Sequence, residues 1–240
     1  MYSKFKISEA YLMEKSIQQE LEKAQPIGDG LSNEIYFKDN EVIKIFRKYP
    51  FTSFYTSILE FLNLRFRYLN RKIRMDNEVE MRKEVRKAGL KSPEITYRGE
   101  KVLKYNKAEG ETGYKFLNDC SEDEAQDLGA NLSDFLKKLH KRDSAIRDIR
   151  ISNCIIDEDK SISLIDLEYS DTNATSISKF IDYLQIISSA KQTRNYKAFI
   201  RQFDKPFLAQ KLATITSLLH ATLLERSLKR TKNTLRNSTP

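Results

Sequence analysis

The chain has 240 residues, 40% apolar and 32% charged, an ordinary globular balance that excludes collagen-like and disordered classes. Lys and Arg outnumber Asp and Glu by 42 to 34, a surplus of +8 that favours polyanionic partners such as phosphates, nucleic acid or an anionic membrane face. Cys120, Cys154 and two histidines make no zinc or disulfide framework, and no apolar run reaches the roughly 18 residues of a membrane span. Met1–Lys6 does not read as a secretory leader, so a cytoplasmic setting is expected.

Ile7 to Gln25 carries no Gly or Pro and spaces Tyr11, Leu12, Ile17 and Leu21 at helical intervals, which predicts a helix broken by Pro26. Two extended runs around Gly28-Asp29-Gly30 follow, then a polar turn and the alternating strand Val42-Ile43-Lys44-Ile45-Phe46. Residues 51–74 mix Phe51, Phe54, Tyr55, Phe61 and Phe66 with Arg65, Arg67, Arg71 and Arg74. Such a stripe either covers an interface inside the protein or presses on a membrane, apolar side chains among the headgroups and cations on anionic lipid.

A helix is predicted over Asp76–Lys87, stopping at Gly89. Pro93–Tyr97 and Val102–Tyr105 read as strands about the turn Arg98-Gly99-Glu100. Beyond Gly113 the pattern turns helical, with Leu128, Leu132, Phe135, Leu136 and Leu139 on one face. Ile151–Ile156 and Ser161–Leu167 read as a strand pair, Ile177–Ala190 and Tyr196–Arg226 as helices, and the tail from Ser227 as a basic end. Strands up to about residue 105 and helices after it predict an α+β protein of two lobes with a cleft between them.

Taken singly, the candidate residues say little. Gly28-Asp29-Gly30 lacks the third glycine of a phosphate-cradling loop, and a lone strand lysine such as Lys44 often just snorkels. Order and spacing say more. Asp148 and Asn153 flank Ile149–Ser152, and Asp166 ends the apolar run Ile162–Ile165. Phosphoryl transfer from ATP needs a carboxylate at the attacking hydroxyl, and an amide oxygen and a second carboxylate on Mg²⁺. It also needs a cation on the nucleotide phosphates, fixed by its own carboxylate. Asp148, Asn153, Asp166, Lys44 and Glu78 supply these roles in chain order.

On these residues the sequence resembles the atypical small protein-kinase-like proteins: RIO-type kinases, the kinase of the tRNA-modifying KEOPS complex, and the lipopolysaccharide-core (Kdo/heptose) kinases. Ile27–Tyr36 is similar to their abbreviated glycine loop, Glu78 and Ala88-Gly89-Leu90-Lys91-Ser92-Pro93 to their Glu-bearing helix and its exit. Val102–Tyr105 is placed like the interlobe hinge, Ser152-Asn153 resembles their Ser-Asn pair, and Leu164-Ile165-Asp166-Leu167-Glu168 resembles their metal-binding strand. The resemblance implies one domain, with an N-lobe of about 1–105, a C-lobe of about 106–226 and a tail of 227–240. It implies ATP and Mg²⁺ as cofactors, with Gly28 and Gly30 over the phosphates, Lys44 on them, Glu78 positioning Lys44, and Asn153 and Asp166 on the metal. Asp148 would act at the acceptor hydroxyl, Arg150 at the γ-phosphate, and adenine would lie near Lys104–Lys107, Tyr105 included.

The sequence departs from the resembled pattern twice. Ile146 replaces the histidine of His-x-Asp, and Asp166-Leu167-Glu168 stands in place of Asp-Phe-Gly, with few residues before the next helix. Asp182 is placed to support the catalytic loop from below, while His140 and His220 read as structural. The acceptor is expected to be a hydroxyl, most broadly a protein Ser/Thr. The alternative is a glycolipid sugar at the inner membrane face, with 51–74 and 226–236 on anionic lipid. A nucleotide-binding scaffold without transfer and a nucleic-acid-associated module are the remaining readings, the last supported by charge but by no reading motif.

Overall fold

The computed structural model describes residues 19–21, 24–29, 33–47 and 71–204. Most of the expected N-terminal helix, Gly30, residues 51–70 and the tail lie outside the described residues; within the helix, 19–21 are helical.

Strands β1 (Gln25–Asp29), β2 (Asn33–Lys38), β3 (Glu41–Phe46), β4 (Ile95–Arg98) and β5 (Val102–Asn106) form one antiparallel sheet in the order β1-β2-β3-β5-β4. The period-two alternation of β3 decides its two faces. Val42 and Phe46 pack with Met75, Leu103 and Tyr105 under helix α1 (Arg71–Lys87), while Ile43 joins Val102 on the far face. Lys44 has the parity of Val42 and Phe46, so its ammonium is delivered to the α1 side of the sheet.

Helix α1 begins at Arg71, five positions ahead of the expected Asp76. Its buried stripe is Arg74, Met75, Glu78, Met81, Arg82 and Val85, a helical period in which half the positions are charged. Apolar periodicity cannot find such a stripe, which is why the start was misplaced. The end is as expected: Gly89 takes φ +99, and the Gly89 and Leu90 N–H groups close on Arg86 and Val85 carbonyls.

Beyond the link Lys107–Gly110, β6 (Glu111–Thr112) pairs with β7 (Cys154–Ile156), which pairs with β8 (Ile162–Leu164). Among the described residues, helices α2 (Gly113–Asp119), α3 (Glu122–Lys141), α4 (Ser176–Ala190) and α5 (Tyr196–Gln202) belong to this half; residues 205–226 of the expected last helix lie outside them. The core gathers Leu128, Leu132, Phe135, Leu136 and Leu139 of α3 with Ile186, Ile187 and Phe199. Helix α3 starts well before Leu128 because Ser121 and Glu124 form a capping box, the Ser121 hydroxyl accepting the Glu124 N–H and the Glu124 carboxylate the Ser121 N–H. The expected strand Ile151–Ile156 is half 3₁₀ turn (Ile151–Asn153), since Asn153 N–H bonds back to the Arg150 carbonyl.

Glycine is needed at two close approaches. A Cβ on Gly129 of α3 would lie 2.2 Å from the Phe199 carbonyl oxygen, so α5 reaches α3 through bare backbone. Gly110 has φ +114, and a Cβ there would lie 2.1 Å from the Ile156 oxygen.

Candidate functional site

Four charged side chains scattered through the sequence meet between the sheet and the helical half. The Lys44 ammonium donates to Glu78 Oε2 at 2.8 Å and to Asp166 Oδ1 at 2.7 Å, and Glu168 Oε2 lies 3.3 Å away. Lys44, Glu78 and Glu168 are almost wholly buried, whereas the Asp166 side chain is 39% exposed and opens to solvent. Burial works against the charged form of Lys44, but Asp166, Glu78 and Glu168 outweigh it and hold the amine's pKa well above its usual value. Burial likewise opposes the Glu78 carboxylate, and Lys44 and Arg82 overcome it, leaving its pKa below the usual range.

Arg82 is the second cation on Glu78. Its Nη2 donates to Glu78 Oε1 at 2.7 Å, its Nη1 to the Pro93 carbonyl at 3.1 Å and the Ser92 hydroxyl at 3.2 Å. The guanidinium lies 4.3 Å from the centre of the Tyr105 ring. Tyr105 is therefore packed behind the site, and burial pushes its phenol up to about 12. The hinge expectation meets a constraint here, for the Asn106 and Lys107 N–H groups already donate to Glu94 and Asn40 carbonyls.

The loop bearing Asp148 and Asn153 is stitched to the turn bearing Asp166. Asn153 Nδ2 donates to the Asp148 carbonyl at 3.2 Å, and the Asn153 carbonyl accepts the Ile165 N–H at 3.0 Å, one residue before Asp166. Burial raises the Asp148 pKa; Arg150 opposes this, and the Asp166 charge adds to it. Arg150 Nε donates to Asp148 Oδ1 at 2.9 Å from a side chain 54% exposed, so the structure brings Arg150 to Asp148 and not to Lys44. Gly28 lies in the edge strand β1, opposite Ile35 of β2.

Asp182 of α4 holds the loop from beneath. Its carboxylate accepts the Ile146 N–H at 3.1 Å and the Arg147 N–H at 2.6 Å, and His140 Nε2 lies 2.9 Å away. Arg147 has φ +65 and Asp166 φ +59, left-handed conformations that cost roughly 1 kcal/mol or more for such residues. The charge-assisted bonds to Asp182 offset that cost at Arg147. Ile146, in the place of the expected histidine, is 1% exposed and joins Leu167 in the large core.

Sequence reasoning missed three residues of this site, Arg74, Arg82 and Glu168. Glu168 was noted as the end of the metal-binding-strand resemblance and as a missing glycine, without a role of its own, and Arg74 only as part of a stripe that covers an interface or meets lipid. Of residues 51–74 only 71–74 are described: Arg74 is buried against Glu168, which fits packing inside the protein, and Arg71 donates to Glu100 at 2.5 Å. The signal for Arg74 was its spacing of four from Glu78 and eight from Arg82 on one helical face.

The donor set suits a nucleotide with Mg²⁺. Asp166 and Asn153 would hold the ion, whose positive charge would offset that of the phosphates. The carboxylates of Glu78, Asp166 and Glu168 lie within 4.8 Å of one another, and the cation they share is the Lys44 ammonium.

No protein-family model and no curated protein matches the chain. Solved structures do. One of WbdD aligns at a TM-score of 0.51 and 16% identity over 81% of this chain and 50% of that one. A structure of WbdD described as a bifunctional kinase-methyltransferase aligns at 0.49 and 17%, over 80% and 49%. The Cydia pomonella granulovirus kinase PK-1 aligns at 0.38 and 18%, over 67% and 57%. The chain thus spans about half the length of the WbdD chains it matches. The first likeness shows that this chain has a protein-kinase-like fold, two lobes of α+β type as the sequence led one to expect.

Proposed function

We propose that this protein is an ATP-dependent phosphotransferase that moves the γ-phosphate of ATP to a hydroxyl. The observation that carries the reading is the Lys44 ammonium bonded at once to Glu78 and Asp166, residues 34 and 122 positions away. A buried lysine fixed by one carboxylate and facing a second, half-exposed one is what phosphate binding beside a metal requires. The fold shared with WbdD, a protein described as a kinase-methyltransferase, is in keeping with the same reading.

In this reading Lys44 binds the α/β-phosphates, Glu78 orients it, and Asp148 orients the acceptor hydroxyl and takes its proton. Bound Mg²⁺ neutralises phosphate charge, and Asp166 and Asn153 are its side-chain ligands. With the Asn106 and Lys107 N–H groups taken, the segment Lys104–Lys107 would meet adenine with other groups than these two. Positioning and fixed charge supply most of the acceleration.

The broad acceptor class is a protein Ser or Thr. One observation favours a compact sugar hydroxyl instead: α4 begins at Ser176, and residues 167–175 are tied down by paired Ala145 and Asp171 and by Asn77 on the Ser170 carbonyl. That leaves little chain for a peptide-docking platform. A glycolipid acceptor would place the reaction at an inner membrane face.

The test is incubation of the full chain with labelled ATP, Mg²⁺ and cell extract, followed by separation of protein, lipid and RNA. Label moving to one fraction in wild type and not in Asp166→Ala supports transfer and names the acceptor class. ATP bound without label moving in any fraction supports the scaffold reading, and no ATP bound at all overturns both.

A further inference from the structure

Glu168 is a buried acid to which phosphoryl transfer gives no role. It occupies the place where the resembled kinases carry glycine, yet its side chain is 1% exposed and faces three elements of the other lobe. Its Oε2 accepts from Asn33 Nδ2 of β2 at 2.8 Å and lies 3.3 Å from the Lys44 ammonium of β3. Both its oxygens lie 3.4 Å from Arg74 Nη1 of α1. Arg74 in turn donates to Asn33 Oδ1 at 3.1 Å and to the Arg47 carbonyl at 2.6 Å. A second tie follows, where Asn77 Nδ2 donates to the Ser170 carbonyl at 2.8 Å.

We propose that Glu168 is a positioning residue: a second carboxylate, beside Glu78, that seats Lys44 and fastens β2 and α1 to the turn bearing Asp166. Its consequence for catalysis rests on the phosphotransferase reading; its geometry does not. If Asp166 turns from Lys44 to a metal ion, Glu78 and Glu168 are the buried acids left to the ammonium. The buried cations Lys44, Arg74 and Arg82 face the buried acids Glu78 and Glu168 and the part-exposed Asp166, so loss of Glu168 leaves buried positive charge uncompensated. A glycine at 168 leaves the turn free to leave the other lobe. A glutamate bound to three strands and helices holds helix, lysine and metal-binding aspartate in one arrangement, without any modification to order the segment.

The variants are Glu168→Gln and the double Arg74→Met/Glu168→Gln, in the full chain. In nucleotide-free protein, Glu168→Gln should speed amide hydrogen exchange in α1 and β2 by about tenfold or more while α3 is unmoved. Its kcat should fall by on the order of tenfold to a hundredfold, as expected for misplaced groups. The double variant removes the stranded Arg74 charge and should recover thermal stability but not kcat, a split that a purely structural role would not produce. Unchanged exchange in α1 of Glu168→Gln, or full recovery of kcat in the double variant, overturns the proposal. If wild type neither binds ATP nor transfers label, the phosphotransferase reading falls, and the exchange result still decides whether Glu168 fastens the lobes.

Discussion

Replacing Arg82 by Met keeps most of the side chain's bulk and helix propensity but removes a guanidinium with no solvent access. The loss is local and countable. Glu78 Oε1 loses its 2.7 Å partner, the Pro93 carbonyl and Ser92 hydroxyl lose theirs, and the Tyr105 ring loses the cation over its face. Breaking one side of a buried ion pair costs about 3–5 kcal/mol, because the remaining charge stays desolvated. At ~2–4 °C per kcal/mol for a chain of this size, the melting temperature should drop by roughly 6–20 °C. The measurement is thermal unfolding by circular dichroism, repeated for Glu78→Gln and for the Glu78→Gln/Arg82→Met pair. The pair should be less damaged than the sum of the singles, since the second change removes the charge that the first stranded. Strict additivity, or a loss under about 1 kcal/mol for Arg82→Met, would refute the view that this arginine neutralises Glu78 in the interior.

Other consequences can be checked in the same preparations. Burial keeps the Asp148 pKa above its ordinary 3.8, so the folded state holds that proton more tightly, and stability attributable to the group declines as pH rises through the raised value. Asp148→Asn should therefore melt higher at neutral pH while abolishing transfer and sparing nucleotide binding. Arg150→Gln removes the opposing cation and should move the acid limb of the pH–rate profile to higher pH. Gly129→Ala must push α5 away from a contact of 2.2 Å and should lower stability by about 1–3 kcal/mol, read as a shifted urea midpoint. Asp182→Asn keeps the size but offers one acceptor oxygen where two backbone donors bond; kcat should fall by on the order of tenfold with KM for ATP little changed, and an unaltered kcat would count against its role.

Where sequence and structure part, charge is the reason. Lys44 was readable because it interrupts a run of β-branched residues, and Asp148, Asn153 and Asp166 because turns and strands punctuate them. The arginines of α1 were not. Arg74 and Arg82 sit at core positions, and a pattern that looks for apolar residues counts them as surface. Glu168 was unreadable as a site residue for a related reason: it meets Asn33, Lys44 and Arg74, contacts that exist only once the chain is folded. The early start of α3 was legible in Ser121-Glu122-Asp123-Glu124, whose capping signature was overlooked in favour of the apolar face that follows.

The grip of Asp182 on Ile146 and Arg147 has a consequence for how such proteins are found. It takes hold of peptide hydrogens, which every residue but proline possesses, and so it dictates the course of the chain without dictating which amino acid stands there. A histidine can thus give way to isoleucine with the loop still in place, and a search keyed to that histidine will pass over chains built like this one.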